Sequence, residues 1–484
     1  MSTDAVEAGR AVPPALTAEQ LGTVHLVGIG GVGMSGLARL LLTRGIRVTG
    51  SELRQWPVLA GLRALGGTIH MHHEAANLDG VDTVVYSSAI PDDHLELVEA
   101  RRRGLRVLHR SQALAAAMAG RRTIAVAGTH GKTTTTSMLT LILQRAGLDP
   151  SFVIGGEIAD STASAHHGSG DYFVAEADEH DRSFLRYRPY AGVLTNIDAD
   201  HLNVFGDMAG LEAVFEEFAH TVQPDGFLVT CADDPGTRRI AQRLRAAGRT
   251  VYTYGEADDA DLRVADIAMT PAGLRYRAWL DGAPLGALSL PVPGTHLALN
   301  SAAAALVALR AGASPAAVAE ALSAFPGVRR RFERKGTVGG VRVFDEYAYH
   351  PTSMTAALRT LRVMAAGGQL IAVFQPYRLY RTRQLGPELA AALSLADHAL
   401  VLEVFGPGEQ REPGEGGAAL TAAIDLPASR KGFLTWDAVP DEVAARARPG
   451  DLVVTMGAPP ISLLGDELLA ALAQSGPARP EAGR

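Results

Sequence analysis

A chain of 484 residues that is 47 % hydrophobic is too long for one core and carries the apolar content for two or three packed domains. A formal net charge of −7 with dispersed arginines gives no basic field and argues against nucleic acid as a partner. The single cysteine, Cys231, excludes an intramolecular disulfide and a thiolate metal cluster, and together with a polar, non-signal-like segment over residues 1–20 and no long apolar run it predicts a cytoplasmic protein without stable membrane association.

In the first 115 residues, short β-branched runs at 23–28, 47–50 and 83–87 alternate with helical periods at 34–44 and 95–103, the rhythm of parallel βαβ units. Gly28-Ile29-Gly30-Gly31-Val32-Gly33 directly follows the first strand and opens the first helix, so its amides can approach a diphosphate. Glu52 lies 24 residues beyond Gly28, a distance suited to a ribose hydroxyl. Taken alone, the loop fits a dinucleotide, another phosphate-bearing nucleotide or a simple tight turn.

A second α/β unit opens with a strand at 123–127 and a helix at 133–146, separated by Gly128-Thr129-His130-Gly131-Lys132-Thr133-Thr134. A lysine ammonium there can reach β- and γ-phosphates, the next hydroxyl can bind magnesium, and the amides cradle oxygens. The usual GxxxxGK[ST] spacing is not met, because Val126 stands at its first glycine, yet each physical part is present. Lysine occurs only at 132, 335 and 431, which makes a surface lysine beside a glycine turn the weaker alternative.

The next strand, 172–175, delivers the acidic run Glu176 to Asp181, and the strand 192–197 delivers Asn196 to Asn203 with His201 among them. Carboxylates and imidazoles at strand ends beside a triphosphate loop suit magnesium, although either run alone also fits a solvated strand end. A strand at 227–230 and an antiparallel insertion around 261–290 precede Gly294-Thr295-His296 and a helix at 299–310. His296 and Asn300, four residues apart, share a helix face or else mark a plain polar helix entry.

The last region follows Phe325-Pro326-Gly327, with Arg329, Arg330 and Arg331 ahead of strands at 341–344, 370–374, 399–402 and 452–455. Asp345 to Thr352 and Phe374 to Arg383 bring an acid, aromatic rings, His350, Arg378 and Arg381, and fork-shaped guanidinium groups suit a carboxylate or a phosphate in transfer. The loop 406–417 and the tail after Ser475 read as exposed.

The string AGTHGKTTTTSM resembles the ATP loop of the Mur ligases, and GIGGVGMSG with SSAIPDD resembles the UDP-binding domain of the subgroup acting on UDP-N-acetylmuramate. EADEHD, the TNI segment ending in Asp200-His201, GTHLALN, the RRF segment, DEYAYHPT and FQPYRLYRT extend the resemblance over residues 24–468. It implies an α/β protein of three domains. These are a Rossmann-like UDP-sugar domain at 1–118, a central P-loop-type ATP domain with a mainly parallel sheet at 119–326, and a Rossmann-like amino-acid domain at 327–484.

The activity implied is ATP-dependent ligation of L-alanine to the lactyl carboxylate of UDP-N-acetylmuramate through an acyl phosphate, by a monomer or homodimer, with two Mg2+ ions that Mn2+ can replace. By the same resemblance Lys132, His201, Arg378 and Arg381 are catalytic, and Thr133, Glu176 and His201 hold metal. ATP is assigned to residues 128–134, His296, Asn300, Arg330 and Asp345. UDP-sugar is assigned to Gly28, Gly30, Gly31, Gly33, Met34, Ser51, Glu52, Ser87, Ser88 and His130, and the amino acid to Tyr347, His350, Arg378 and Arg381.

The sequence departs from the family pattern at His180 and Asn203, and more densely at Tyr349, Ser353, Tyr377, Leu379 and Pro459-Pro460. No lysine lies between Lys132 and Lys335, so the carbamylated lysine of many Mur ligases has no counterpart in the central domain. These departures leave two further readings: a paralogous ligase using another amine or acceptor, and a nucleotide-binding homologue without catalysis.

Overall fold

The first strand, Val24–Val27, is fully buried and apolar at nearly every position because helices cover both faces of its sheet. That sheet is parallel throughout, in the order Thr68–His70, Val48–Ser51, Val24–Val27, Thr83–Tyr86, Arg106–His109. The chain switches direction of progression between Val24–Val27 and Thr83–Tyr86, the place where open α/β sheets form a ligand crevice beyond their strand ends. The computed structural model describes residues 16–158, 164–180, 182–406, 408–412 and 414–474; residues 1–15, residues 159–163, Asp181, Pro407, Pro413 and the tail after 474 lie outside the described residues.

The second sheet has ten strands. From one edge they run Ala283–Leu290, Gly273–Leu280, Leu262–Thr270, Val251–Gly255, Phe227–Cys231, Ala191–Leu194, Arg122–Ala127, Tyr172–Glu176, Ser151–Val153 and Ala165–His166. The strands from Val251–Gly255 to Ser151–Val153 are parallel, while 262–290 forms the expected antiparallel insertion. Thr295–Arg310 starts earlier than the predicted helix, so His296 and Asn300 lie within it. From Ser301 to Ala308 it is buried at every residue, and its alanines let it pack closely on Lys132–Arg145, the helix that follows the lysine-bearing loop.

The third sheet runs Glu333–Val338, Val341–Glu346, Leu452–Met456, Leu370–Phe374, His398–Val401, Lys431–Phe433, parallel except for its first pair. Its core is its own, built from residues such as Phe344, Leu358, Phe374, Val343 and Val453. The first two domains, in contrast, share one continuous apolar core that runs from Leu26, Leu37 and Leu114 to Phe173, Phe184 and Phe218. The helix Val32–Thr43 lies against the edge strands of the second sheet, with the site of a Cβ on Gly36 only 3.6 Å from Val153 Cγ1 and 3.9 Å from Ala165 Cβ. Among the described residues no helix is long and apolar enough to cross a membrane.

Candidate active site

The loop between Arg122–Ala127 and Lys132–Arg145 is shaped by two glycines in the left-handed region, Gly128 at φ 127° and Gly131 at φ 82°. A Cβ on Gly131 would come within 2.5 Å of Asn300 Oδ1, so only glycine leaves room for Asn300 directly behind the loop. Gly131 caps the helix without a side-chain bond, which leaves first-turn amides facing the cleft. Lys132 Nζ donates to Gly128 O at 2.7 Å, Thr129 O at 3.3 Å and Glu179 Oε2 at 2.7 Å. Burial disfavours its charge, but the carboxylates of Glu179, Asp178 and Glu176 outweigh that and hold the ammonium above the ordinary lysine value. Burial pushes Glu179 up to about 7 against the pull of Lys132.

The two acidic strand ends close on this loop. Thr133 Oγ1 donates to Glu176 Oε1 at 3.0 Å, and Gly155 N donates to Glu176 Oε2 at 2.8 Å. Asn196 brackets His130, accepting from its amide at 2.9 Å and donating to its carbonyl at 3.1 Å. His130 Nε2 meets Asp198 Oδ2 at 2.9 Å, and Asp198 N donates to Thr129 Oγ1 at 3.0 Å. Burial opposes ionisation of Asp198, yet His130, Thr352 and His350 hold it well below the usual carboxylate range.

His201 sits at φ 56° ahead of the short helix Leu202–Phe205, a backbone cost of about 1–3 kcal/mol that non-glycine residues bear mainly at functional sites. Its ring stands edge-on to His180, and burial lowers its pKa to about 4, so it is a neutral ligand-type imidazole at pH 7. Its Nδ1 is buried without a hydrogen-bond partner, and oxygen donors at Thr133 and Glu176 suit a hard divalent cation; the residues present therefore fit magnesium.

The third domain faces the same cleft with Tyr347, Tyr349, His350, Ser353, Tyr377, Arg378, Arg381 and Pro459. Arg330 Nε points at Asp345 Oδ2 at 3.4 Å, and its guanidinium lies 4.6 Å from the centre of the Tyr347 ring. Arg330 and Arg378 are both left-handed, at φ 62° and 70°. Arg381 is 2 % exposed and spends its fork on Asp200 Oδ1, at 2.8 Å from Nη2 and 3.3 Å from Nε, with the Tyr349 ring 4.7 Å away. Its guanidinium thus spans the second and third domains rather than standing open.

One cleft of about 1160 Å³ gathers Gly31, Gly33, Met34 and Ser87 of the first domain with Thr129 to Thr134, Glu176, His201, His296 and Asn300 of the second. Ser51 lies apart from it, fully buried and donating to Glu96 Oε2 at 2.6 Å. Ser88 contacts His109 at 3.1 Å on a separate small cavity. Glu52 accepts from the Gly30 amide at 3.1 Å and from Leu53 and Arg54, which occupies it in holding the loop. Leu379 is buried outside the cleft and Asn203 is exposed. Glu179, Asp198 and Asp200 are site residues to which sequence reasoning gave no role; the acidic runs containing them were the available signal.

Residues 23–122 match the Mur ligase family, catalytic domain; residues 126–308 match the Mur ligase middle domain; and residues 330–459 match the Mur ligase, glutamate ligase domain. The chain is 69 % identical over 458 residues to a UDP-N-acetylmuramate--L-alanine ligase of Salinispora arenicola, covering 94 % of this chain and 90 % of that protein. It is 52 % identical to the protein of the same description from Acidothermus cellulolyticus, over 92 % and 93 % of the two chains. Among solved structures it is similar to the UDP-N-acetylmuramate-alanine ligase of Thermotoga maritima, with a TM-score of 0.78 and 26 % identity over 94 % of this chain and 99 % of that one. A murein peptide ligase of Psychrobacter arcticus follows at a TM-score of 0.68 and 28 % identity over 93 % and 99 %.

Proposed function

The chain belongs to the Mur ligase family, and we propose that it uses ATP to join L-alanine to the lactyl carboxylate of UDP-N-acetylmuramate in peptidoglycan precursor synthesis. The observation that carries this reading is the single cleft in which the first glycine loop, Lys132, the Thr133–Glu176 pair and the arginine-bearing face of the third domain meet. Cytoplasmic action as a monomer or homodimer goes with it. Neither the paralogue with another amine nor a homologue without catalysis is favoured, since Lys132, Glu176 and His201 line one cleft and the relatives carry the alanine-ligase description.

A carboxylate does not condense with an amine in water unless its oxygen is first made a leaving group. Lys132 leaves Glu179 and the loop carbonyls for the β- and γ-phosphate oxygens of ATP, while the first-turn amides of Lys132–Arg145 hold the others. Thr133 and Glu176 offer the oxygen donors for Mg2+, with His201 for a second ion, and the metal's chemistry there is neutralisation of phosphate charge, for which Mn2+ also serves. The lactyl carboxylate oxygen attacks the γ-phosphorus, the bond to ADP breaks, and an acyl phosphate forms. Arg378 and Tyr347 hold the amino acid so that its amine attacks the acyl carbon and phosphate departs with the amine's proton, while His350, expected on the amino acid, gives its Nε2–H to the Ala199 carbonyl. Arg381 contributes by tying the third domain to Asp200, which closes the cleft against water.

Phosphate release is measured with UDP-N-acetylmuramate, ATP and single amino acids, and the product is weighed. Release that depends on L-alanine and gives one amide product is expected; equal rates with unrelated amino acids would overturn the assignment. Lys132→Ala lowers turnover by about 10²–10³-fold while UDP-sugar binding persists.

A further inference from the structure

A second set of ligating atoms converges where the nucleotide loop meets the third domain, separate from the oxygen donors Thr133 and Glu176. His130 Nε2 lies 2.9 Å from Asp198 Oδ2, His350 Nδ1 lies 3.7 Å from the same oxygen, and the three ligating atoms all fall within 4.8 Å of one another. Asp198 and His130 come from the second domain, His350 from the third.

The tautomer of His350 is fixed by its other nitrogen. His350 Nε2 lies 3.1 Å from the Ala199 carbonyl oxygen, a contact that only an N–H can satisfy, so Nε2 carries the hydrogen and Nδ1 presents a bare lone pair. This arrangement, a backbone carbonyl holding one ring nitrogen so that the other is presented, is the one that orients histidine ligands in metal sites. The Nδ1 atom is buried and has no hydrogen-bond partner, on a residue that is 4 % exposed. Its nearest charged neighbour is a carboxylate oxygen, which also offers only lone pairs, and two such atoms repel in a poorly hydrated site. A dication between the two atoms relieves the repulsion without charging the ring.

We propose that His130, Asp198 and His350 form a site for one divalent transition-metal ion of the zinc class. Two imidazoles and one carboxylate are the donor set that such ions prefer over magnesium, and three protein ligands leave a fourth position for water or a substrate oxygen. Binding moves the His130 hydrogen from Nε2 to Nδ1 and requires no redox change. With ligands from two domains, the bound ion staples the nucleotide loop to the third domain.

The test is titration of Co2+ into the full chain without nucleotide, read by visible absorption. The expected result is the intense visible band of a four-coordinate, nitrogen-ligated ion, saturating at one equivalent of Co2+, whereas Co2+ taken up on the oxygen donors Thr133 and Glu176 stays weakly coloured. His350→Gln and Asp198→Asn each weaken that binding at least about tenfold, and Glu176→Gln leaves it in place. Circular dichroism verifies that each variant is folded, and His130→Gln provides the same reading if His350→Gln does not fold. Absence of the band, unchanged binding in His350→Gln, Asp198→Asn and His130→Gln, or loss of the band in Glu176→Gln would overturn the proposal. The site stands or falls independently of which amine the protein ligates.

Discussion

The first two domains are joined through hydrocarbon: the helix Val32–Thr43 and the turn Ser183–Arg186 belong to one apolar core with no break between the sheets. Beyond the joining residue Val328, which packs with Ile158 in the second domain's core, the third domain meets them through polar contacts, Arg381 on Asp200, His350 on the Ala199 carbonyl and Arg329 on Glu157 at 3.1 Å. The two seams differ in what opening them costs. Separating apolar surfaces forfeits about 25 cal/mol for each Å² exposed, with nothing regained from water. Polar groups recover most of their hydrogen bonds from solvent, so that a typical bond nets only about 0.5–1.5 kcal/mol. The first two domains therefore move as a unit and the third opens and closes upon them, which is the motion a three-substrate site requires.

The largest expected effect is on the apolar seam. Phe184 is fully buried, stacked on Phe218 with ring centres 5.0 Å apart, and Phe184→Ala costs about 3–5 kcal/mol. Scanning calorimetry then shows the melting of the first two domains shifting together; an equal shift in the third would erase the contrast between the seams. Asp200→Asn attacks the polar seam and leaves Arg381 without its carboxylate, at a cost of about 1.5–3 kcal/mol to closure. Small-angle scattering shows a wider particle while the melting of the first two domains stays where it was.

A pH effect on the same seam is somewhat smaller. Burial, with Arg331 adding to it, lowers His296 from 6.5 to about 4, and its ring lies 5.8 Å from that of Phe332. The unfolded chain binds the extra proton, so stability falls as pH drops below 6.5 and levels off near 4, on the order of 2 kcal/mol for a partly exposed group. His296→Phe flattens that slope in thermal melts. The smallest effect is a gain: a Cβ at Gly36 meets Val153, Ser164 and Ala165 at 3.6–3.9 Å, ordinary contact, so Gly36→Ala stiffens the helix by about 0.5–1 kcal/mol.

Both loops were legible because each couples a buried apolar strand to glycines and a helix start; strand-end chemistry pointed to the acidic runs beside the lysine, while the choice of Thr133 with Glu176 came from the family resemblance. The edge strands Thr68–His70 and Ala165–His166 were not, since three and two residues are too few to show a period. Met208–Thr221 carries a helical stripe of Leu211, Val214, Phe215 and Phe218, a period that the sequence alone displays. Arg381 was expected on a substrate, but its partner Asp200 lies 181 residues away, a pairing no local pattern reveals. The fusion of the first two cores was hidden for the same reason: periodicity tells which face is apolar but not whose apolar face covers it.

The contact between Lys132 and Glu179 sets a threshold for what the glycine turn retains. An ammonium already paired with a carboxylate at 2.7 Å gains little from a small, dilute anion, so sulfate or orthophosphate has scant leverage there. A triphosphate brings enough negative charge to draw the cation off. The abandoned acid, already pushed up to about 7 by its dry surroundings, then favours its neutral form, and nucleotide capture takes a proton from the medium.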